Sequence, residues 1–450
     1  MTTDPPPGPG REPGIAYRDA LLRLVQASTP GMRLGLESTR QLLAQLDNPE
    51  VGLPGVLVAG TNGKGSVCAL VAAMASRAGV RVALLTKPHL TSYRERIQLG
   101  GRPIDERLFT QIATAVSDAA DRMALAGGRP THHELLTAMG FLAARQGNAE
   151  LVVCEVGLGG RLDATNVWDG GVAALTSIAL DHQAQLGNTV AAIAQEKAAI
   201  IKPGNLVVAA VPDEALAAVE RAARAAPARL WKLGQEIRVS PSSGAKGFRV
   251  ETPATVRDHL EVGLEGAFQV GNAAVAVAIA DCLGELGFPL PDEAVREGLA
   301  RASWAGRLQT LGEPPWCLID AAHNPAAVEA VIPEIHRVGA GRPVVLLFGA
   351  MEDHDHRGML ELLAQVDFSA TVLTRAGSAR AAAPSLLAQN WNGPCEKVEA
   401  VDEALGRARH LAGPTGLVVA LGSIYVIGEV MAALGIGVPP DPNIPFPPLW

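Results

Sequence analysis

The sequence predicts an α/β protein of two domains: the first a doubly wound, mostly parallel sheet with a small antiparallel addition, the second a further α/β domain. Three observations lead to this prediction. The chain has 450 residues, whereas typical domains hold roughly 100–200 residues. Its apolar runs are short and do not alternate with polar residues, which is typical of strands covered on both faces. Amphipathic stretches separate these runs, as helices separate the strands of a doubly wound sheet.

Strand and helix candidates alternate through the first domain. Buried strands are predicted at Val56–Ala59, Val80–Thr86, Leu151–Cys154, Val172–Ile178 and Leu206–Val211, and helices at Val67–Ala78, Gly271–Leu286 and Pro291–Arg301. Two alternating segments, Phe248–Thr252 and His259–Leu264, flank Pro253. They predict an antiparallel hairpin that is appended to the first sheet.

The same alternation continues in the second domain. Its strands are predicted at Trp316–Ala321, Val344–Ala350, Ala370–Arg375 and Gly416–Leu421. We place the first domain at residues 15–295 and the second at residues 296–437. The Pro-rich ends, residues 1–14 and 438–450, are predicted to be disordered.

Composition and charge exclude several classes of protein. The chain carries 38 Lys and Arg against 46 Asp and Glu, a net charge of −8, whereas broad binding to nucleic acids or anionic membranes requires a basic surface. The sequence contains no run of about 18 apolar residues, so no membrane span is predicted. The first residues lack the features of a signal peptide. The five cysteines lack metal-ligand spacing. We therefore expect a cytoplasmic protein with free thiols, no nucleic-acid partner and no membrane contact.

The strongest local motif is the glycine-rich segment Gly60–Ser66, which follows a predicted strand and opens a predicted helix. This is the context of a phosphate-binding loop, or P-loop, whose backbone N–H groups bind phosphate oxygens. Lys64 can reach the terminal phosphates, and the Ser66 hydroxyl can ligate Mg²⁺. Because Gly65 separates the two, this is a variant P-loop; the alternative is a turn that only joins strand to helix. The predicted nucleotide-binding residues of this segment are Gly60, Thr61, Asn62, Gly63, Lys64, Gly65, Ser66 and Val67.

This loop resembles the nucleotide loop of the Mur ligase superfamily of ATP-dependent amide ligases. Further segments resemble its folylpolyglutamate synthase/dihydrofolate synthase branch and occur in the same order: Lys87–Ile97, Thr131–Glu134, Glu155–Asn166, Leu180–His182, Gln195–Gly204, Gly306–Arg307 and Asp320–Pro325. The ordered set is far more specific than any one short motif. The resemblance implies a P-loop ligase domain followed by a Rossmann-like ligase domain, with ATP and two Mg²⁺ ions as cofactors.

Three residues are candidate metal or catalytic groups. Glu155 lies at the carboxyl end of an apolar strand, which is the edge of an open parallel sheet where ligands bind. A carboxylate at that edge can ligate Mg²⁺. The alternative is a Glu that forms a salt bridge or caps a helix. The resemblance implies that His182 ligates the second Mg²⁺, although a lone His is more often structural. It also implies that Lys197 is carbamylated by CO₂, whereas the residues alone predict a solvated helical lysine. The predicted catalytic residues are Lys64, His182, Lys197 and Arg307, and the predicted metal ligands are Ser66, Glu155 and His182.

The remaining site residues come from the nucleotide and acceptor motifs. Asn272 resembles a nucleotide contact, with a helix N-cap as the alternative, and Phe268 stands where the family has His. The planar fork of Arg307 suits phosphate, and Asp320, at a strand end, suits either a ribose or a helix cap. His133 replaces the Phe of the family's Thr-x-Phe-Glu motif. By resemblance, the acceptor-binding residues are Arg33, Leu34, Gly35, Leu36, Thr131, His132, His133, Glu134, Leu162, Asp163, Ala164 and Tyr425.

Together these features predict an ATP-dependent amide ligase. The acceptor's carboxylate would attack the γ-phosphate of ATP to give an acyl phosphate, and the amine of L-glutamate would then displace phosphate. By resemblance, the acceptors are dihydropteroate and tetrahydrofolate. We further expect the enzyme to be a monomer. The alternatives are a peptidoglycan-precursor Mur ligase, a P-loop ATPase or kinase that performs no ligation, and a non-catalytic ATP-binding protein.

Overall fold

The computed structural model of the chain describes residues 13–28, 35–125, 127–242 and 246–442. Within these residues, eight strands form the first sheet. They are β1 (Gly55–Ala59), β2 (Val82–Leu85), β3 (Ile97–Leu99), β4 (Arg102–Pro103), β5 (Leu151–Glu155), β6 (Gly171–Leu175), β7 (Leu206–Ala209) and β8 (Arg229–Lys232). The order across the sheet is β4-β3-β2-β5-β1-β6-β7-β8. All neighbours pair in parallel except β2 with β3 and β3 with β4, so the predicted mostly parallel sheet is confirmed.

Helices cover both faces of this sheet. They are α1 (Pro13–Ala27), α2 (Glu37–Ala44), α3 (Lys64–Arg77), α4 (Glu106–Leu125), α5 (His132–Gln146), α6 (Gln183–Leu186), α7 (Val190–Ala198), α8 (Asp213–Ala225), α9 (Gln269–Glu285) and α10 (Asp292–Arg301). Alternate side chains of β1 point to opposite cores. Leu57 packs with residues of α1, α4 and α5, and Val58 packs with residues of α3, α9 and α10. Burial on both faces explains why β1 is apolar throughout.

The predicted hairpin exists, but its attachment was predicted wrongly. It forms a separate antiparallel sheet of β9 (Arg238–Pro241), β10 (Phe248–Glu251) and β11 (Val256–Leu260) in the order β11-β10-β9. Phe248, Val250 and Leu260 are buried in one core with α9, because a small sheet needs a helix or another layer to cover its apolar face. The antiparallel addition to the first sheet is instead β3 with β4.

The second domain is an α/β domain, as predicted. Its strands are β12 (Gln309–Leu311), β13 (Trp316–Ile319), β14 (Val344–Phe348), β15 (Ala370–Leu373), β16 (Glu396–Lys397) and β17 (Leu417–Leu421). Its helices are α11 (Pro325–Gly339), α12 (His356–Leu363), α13 (Pro384–Ala388), α14 (Val401–Ala412) and α15 (Ile424–Ala433). The order β12-β13-β17-β14-β15-β16 is parallel except for β12.

The predicted boundary between residues 295 and 296 falls inside α10. Val295, Leu299 and Ala302 pack in the core that contains α3 and α9. A Cβ atom on Gly298 would lie 2.5 Å from the backbone of Met74, so α10 packs tightly on α3. We therefore place the end of the first domain after residue 302.

The chain ends differ in part from the predicted disorder. Residues 13 and 14 belong to α1, and residues 1–12 lie outside the described residues. Residues 438–442 return to the first domain, where Thr91 donates to the Val438 carbonyl at 2.7 Å. The Asp441 carboxylate accepts from Tyr17 Oη, Ser92 Oγ and the Tyr93 N–H at 2.6–2.8 Å. Residues 443–450 lie outside the described residues.

Two predictions from composition can be compared with the structure. In the parts of the chain that the structure describes, none of the helices is long and apolar enough to cross a membrane. All five cysteines are free thiols, as expected, and all except Cys395 are buried.

Candidate active site

The P-loop lies at the carboxyl end of β1, between β5 and β6 of the first sheet, and leads directly into α3. Gly60 has φ +156°, and a Cβ atom there would lie 1.8 Å from Thr176 Oγ1, so no other residue fits without moving the loop. Thr176 Oγ1 in turn donates to the Asn62 carbonyl at 2.7 Å. The loop is thereby held against the end of β6, with the first turn of α3 directed at the space above it.

Two lysines converge on the carbonyl groups of this loop. Lys64 Nζ lies 3.1 Å from the Gly60 carbonyl and 3.0 Å from the Thr61 carbonyl, and Lys197 Nζ donates to the Gly60 carbonyl at 2.7 Å. Lys197, on α7, is only 5% exposed, so the alternative of a solvated lysine is wrong. Burial, and next the charge of Lys64, lower the pKa of Lys197 to about 7. Protonated and unprotonated forms therefore coexist near neutral pH.

Glu155 ends β5 beside the loop, and its side chain is buried. It makes no ion pair within the described residues, and its Oε2 accepts the backbone N–H of Lys87 at 3.0 Å. Burial raises the pKa of Glu155, against the opposing effects of Lys64, the Lys87 hydrogen bond and Arg307. A buried carboxylate with spare lone pairs among three cations is suited to a divalent ion that arrives with a nucleotide.

The donor set around Glu155 fits Mg²⁺ only if the nucleotide supplies further ligands. Within the described residues, no group of three or more His, Cys, Asp or Glu is placed to hold a metal ion. Ser66 Oγ, 3.4 Å from Gln269 Nε2, and Glu155 would contribute two oxygens. Mg²⁺ is commonly bound by one or two carboxylates together with phosphates and water, so this sparse set fits such an ion.

His182 belongs to a polar cluster that spans the two domains. Its φ of +48° lies in the left-handed region, and its ring is 6.0 Å from that of His354, which is 5.3 Å from that of His323. Asp181 lies 3.6 Å from His323 Nε2 and 4.0 Å from His182 Nε2. Burial would raise the pKa of Asp181, but the hydrogen bond with His323 and the imidazole charges lower it, whereas burial lowers the pKa of His182. The cluster therefore places an ionised Asp181 carboxylate beside His182, whose lowered pKa favours the neutral imidazole.

Hydrogen bonds connect the P-loop directly to the second domain. The side-chain amides of Asn62 and Asn324 exchange two hydrogen bonds at 3.1 Å. Asn324 also caps α11, where its Oδ1 accepts the Ala327 N–H, and it donates to Asp181 Oδ2 at 3.2 Å. The two domains are thus joined at the mouth of the P-loop, where a bound triphosphate would be enclosed.

A cavity of about 680 Å³ lies between the two domains. His323 and His354 line it, as does Lys87. The structure brings most of the predicted nucleotide, metal and catalytic residues to its wall: Gly60, Thr61, Asn62, Gly63, Lys64, Gly65, Ser66, Glu155, His182, Lys197, Asn272, Arg307, Asp320 and Tyr425. Val67 is the exception, because its side chain is fully buried in the core and its N–H donates to the Gly63 carbonyl.

Two of the nucleotide candidates have structural tasks that the sequence did not reveal. Asn272 lies inside α9, so the N-cap alternative is wrong, and it donates to Gln269 Oε1 at 2.8 Å. Asp320 accepts the N–H groups of Leu308 and Ala322 at 2.9 and 2.7 Å. Its carboxylate therefore ties the linker after Arg307 to the end of β13 while it lines the cavity.

The predicted acceptor residues that the structure describes do not line the main cavity, apart from Tyr425. Thr131 and Glu134 form a capping box at the start of α5, and Glu134 also accepts from Ser38 and Thr39 at 3.2 Å. His132 contacts Tyr93 Oη at 3.0 Å. Burial, and next Arg96, lower the pKa of His132 to about 3. Gly35, Leu36, Leu162 and Ala164 lie outside the lining too, and Arg33 and Leu34 lie outside the described residues.

Asp163 and His133 form a pair behind the cavity wall. Asp163 accepts from His133 Nε2 at 2.9 Å, from the N–H groups of Gly157 and Leu158, and from Thr165. These bonds hold the glycine-rich loop after β5. The sequence motifs contained both residues, but the pairing between α5 and this loop is visible only in three dimensions.

Sequence reasoning did not assign Lys87, Asp181 or His354 to the site, and it did not pair Asn62 with Asn324. Asp181 precedes His182 and Lys87 lies within a quoted motif, so both were present in the sequence signal. His354 follows β14 in a segment without a distinctive pattern, and no local signal identifies it.

Comparisons with known proteins place this architecture in a family. The Mur ligase middle domain matches residues 58–280, and the Mur ligase, glutamate ligase domain matches residues 306–424. The chain is 31% identical over 434 residues to the dihydrofolate synthase/folylpolyglutamate synthase of Bacillus subtilis. This match covers 93% of this chain and 99% of that protein. The chain belongs to the folylpolyglutamate synthase/dihydrofolate synthase family of Mur ligases. A relative from Haloferax volcanii, a probable bifunctional folylpolyglutamate synthase/dihydropteroate synthase, is 33% identical over 425 residues. That match covers 92% of this chain but only 50% of the relative, so the chain spans about half the length of that protein.

Solved structures of the family superpose over nearly the whole chain. Folylpolyglutamate synthase from Mycobacterium tuberculosis, complexed with ADP and AMPPCP, has a TM-score of 0.85 and 30% identity, with 94% of this chain and 99% of that chain covered. E. coli FolC in complex with DHPP and ADP has a TM-score of 0.83 and 28% identity, with coverage of 93% and 97%. A bifunctional family member with Mn, AMPPNP and L-glutamate bound has a TM-score of 0.80 and 30% identity, with coverage of 91% and 99%. The two-domain architecture of this chain is therefore that of the family.

Proposed function

We propose that the protein is an ATP-dependent ligase that adds L-glutamate to dihydropteroate and to tetrahydrofolate. Family membership supports the reaction class. The relatives crystallised with adenine nucleotides, DHPP, Mn and L-glutamate support these ligands. The observation that carries the proposal is the cavity between the domains, where the P-loop and Glu155 of the first domain meet Arg307 and His323.

Ligation requires activation, because a carboxylate is a poor electrophile. The acceptor's carboxylate oxygen attacks the γ-phosphorus of ATP, ADP leaves, and an acyl phosphate forms. The amine of L-glutamate then attacks the acyl carbon, loses a proton, and displaces phosphate, so each amide bond costs one ATP. Lys64 and Arg307 lie where their charges can oppose the negative charge that develops during phosphoryl transfer.

The residues of the chain also suit the two metal ions and the modified lysine that the family implies. Ser66 and Glu155 would hold the first Mg²⁺, and His182 would contribute to the second. Bound Mg²⁺ supplies charge neutralisation and orientation of the phosphates. We propose that Lys197 is carbamylated, which converts a cation beside Lys64 into an anion and removes the repulsion between two ammonium groups on one carbonyl.

Domain contact serves to exclude water from this chemistry. An acyl phosphate would hydrolyse if water reached it, and the Asn62–Asn324 amide pair closes the P-loop against the second domain. All of the proposed groups come from a single chain, so the proposal requires only a monomer.

The decisive assay measures ADP formation by the full chain with each acceptor, with and without L-glutamate. The proposal predicts that sustained ADP formation requires both an acceptor and L-glutamate, with dihydropteroate and tetrahydrofolate each active. A uridine-linked muramyl acceptor that alone supports turnover would indicate a peptidoglycan-precursor ligase. Sustained turnover without L-glutamate that accumulates a stable phosphorylated acceptor would indicate a kinase.

A further inference from the structure

A second, smaller cavity opens beside the main one, and Lys87 lines both. The smaller cavity has a volume of about 240 Å³, and Pro88, Glu155 and Arg307 also line both cavities. Lys87 follows β2, and its backbone N–H donates to Glu155 at 3.0 Å. The lysine therefore stands at the junction of the two cavities, next to the proposed metal ligand Glu155.

Among the described residues, the Lys87 ammonium group has no good acceptor. Its one polar contact among the described residues is His133 Nε2, at 3.5 Å, and that nitrogen lies 2.9 Å from Asp163 Oδ2. Burial would raise the pKa of Asp163, but His133, Lys87 and several hydrogen bonds lower it, so the carboxyl group is ionised at neutral pH. An ionised carboxylate only accepts hydrogen bonds. His133 Nε2 must therefore carry a proton, which it donates to Asp163, and it has no lone pair for Lys87.

Asp163 and Glu155 act on Lys87 through their charge, but neither carboxylate forms an ion pair with its ammonium group. No ion pair joins Lys87 to a carboxylate in the described part of the chain. An ammonium group is a compact charge with three donors, so it favours a ligand that supplies several acceptors. A ligand with a negatively charged, oxygen-bearing group would supply the missing acceptors.

We propose that Lys87 binds the carboxylate of the acceptor substrate and thereby determines that the enzyme selects acidic acceptors. The inference rests on the proposed function, in which the acceptor's carboxylate must approach the P-loop. That approach takes it past the junction of the two cavities, where Lys87 lies. A charge-assisted hydrogen bond from Lys87 holds the carboxylate at the edge of the nucleotide cavity.

The experiment compares Lys87→Met with the wild-type chain. Methionine is an unbranched side chain one atom shorter than lysine, and it removes the charge. Binding of pteroate and of its methyl ester, which lacks the carboxylate charge, is measured by equilibrium titration in the presence of AMPPNP and Mg²⁺. We expect the wild-type chain to prefer the acid by about tenfold and Lys87→Met to lose that preference, while Lys87→Arg retains part of it. In steady-state assays, the KM for dihydropteroate rises about tenfold in Lys87→Met, and the KM for ATP stays within about twofold.

The matched control is Lys232→Met, because Lys232 pairs with Glu220 at 3.1 Å and lines neither cavity. A preference for the acid that persists in Lys87→Met overturns the inference. So does an equal loss of affinity for acid and ester, because that result indicates a purely structural lysine. If the wild-type protein makes no ADP with acceptor and L-glutamate, the proposed function fails. If it also binds neither pteroate nor its methyl ester, both proposals fail.

Discussion

Replacement of Lys197 by Met removes a buried amine whose protonation is unusually costly. Burial and the charge of Lys64 lower the pKa of this amine from 10.5 to about 7. At pH 7 about half of the Lys197 side chains are therefore unprotonated, against roughly one in 3,000 for a lysine of ordinary pKa. Only the unprotonated amine reacts with CO₂, so the lowered pKa of Lys197 is consistent with the carbamylation that we propose.

The same pKa makes stability depend on pH in a defined direction. Between pH 7 and 10.5 the unfolded chain binds more protons at Lys197 than the folded chain, so the free energy of unfolding rises with pH across this window. Below pH 7 the lowered pKa of Lys197 reduces the free energy of unfolding by its full amount, about 5 kcal/mol. At pH 9 this reduction is about 2 kcal/mol. The stability of Lys197→Met relative to wild type should therefore fall by about 3 kcal/mol from pH 6 to pH 9.

Two measurements test this reasoning. Chemical denaturation in CO₂-free buffer at pH 6 and pH 9 gives the stability difference, and a difference that does not change with pH would refute the lowered pKa. NMR with isotope-labelled bicarbonate should reveal a carbamate in the wild-type chain, with loss of both the signal and ligase activity in Lys197→Met. The matched control is Lys202→Met, since burial also lowers the pKa of Lys202, to about 8. The Lys202→Met variant should retain the carbamate signal of Lys197.

Three further substitutions probe the loop, the chain end and the core. Gly60→Ala places a Cβ atom 1.8 Å from Thr176 Oγ1, so isothermal titration should record at least about a tenfold loss of ATP affinity, with the circular dichroism spectrum unchanged. Asp441→Ala removes the acceptor of three hydrogen bonds to the first domain and should lower the free energy of urea unfolding by about 2 kcal/mol; no change would mean that the chain end contributes nothing. Asp281→Asn weakens the 2.6 Å buried ion pair with Arg257. It should lower the free energy of urea unfolding by about 3 kcal/mol and leave nucleotide affinity unchanged.

The P-loop and its strand could be predicted from sequence because their signals are local. The apolar run of β1, the glycines, Lys64 and Ser66 each act within a few residues of one another. The attachment of the β10–β11 hairpin could not be predicted in the same way. Its alternating pattern identifies the strands, but only packing of Phe248 and Val250 against α9 decides which layer they join.

The acceptor side of the site illustrates the other limit. Thr131 and Glu134 carry the spacing of a capping box, and that purely structural interpretation was available from sequence. The interactions of Lys87 were not, because His133 and Glu155 are distant in the chain and meet it only in the folded sheet. Residues whose chemistry depends on a partner from another strand or domain are the ones that a sequence leaves unassigned.

Transfer of a labelled oxygen atom tests the central claim most directly. Dihydropteroate labelled with heavy oxygen in its carboxylate is incubated with the full chain, ATP, Mg²⁺ and L-glutamate, and the phosphate that forms is analysed by mass spectrometry. Because the acceptor's carboxylate attacks the γ-phosphorus, the account predicts that each turnover moves one labelled oxygen into phosphate. Phosphate without label, formed at the same rate as the amide product, would contradict the acyl phosphate and the account built on it.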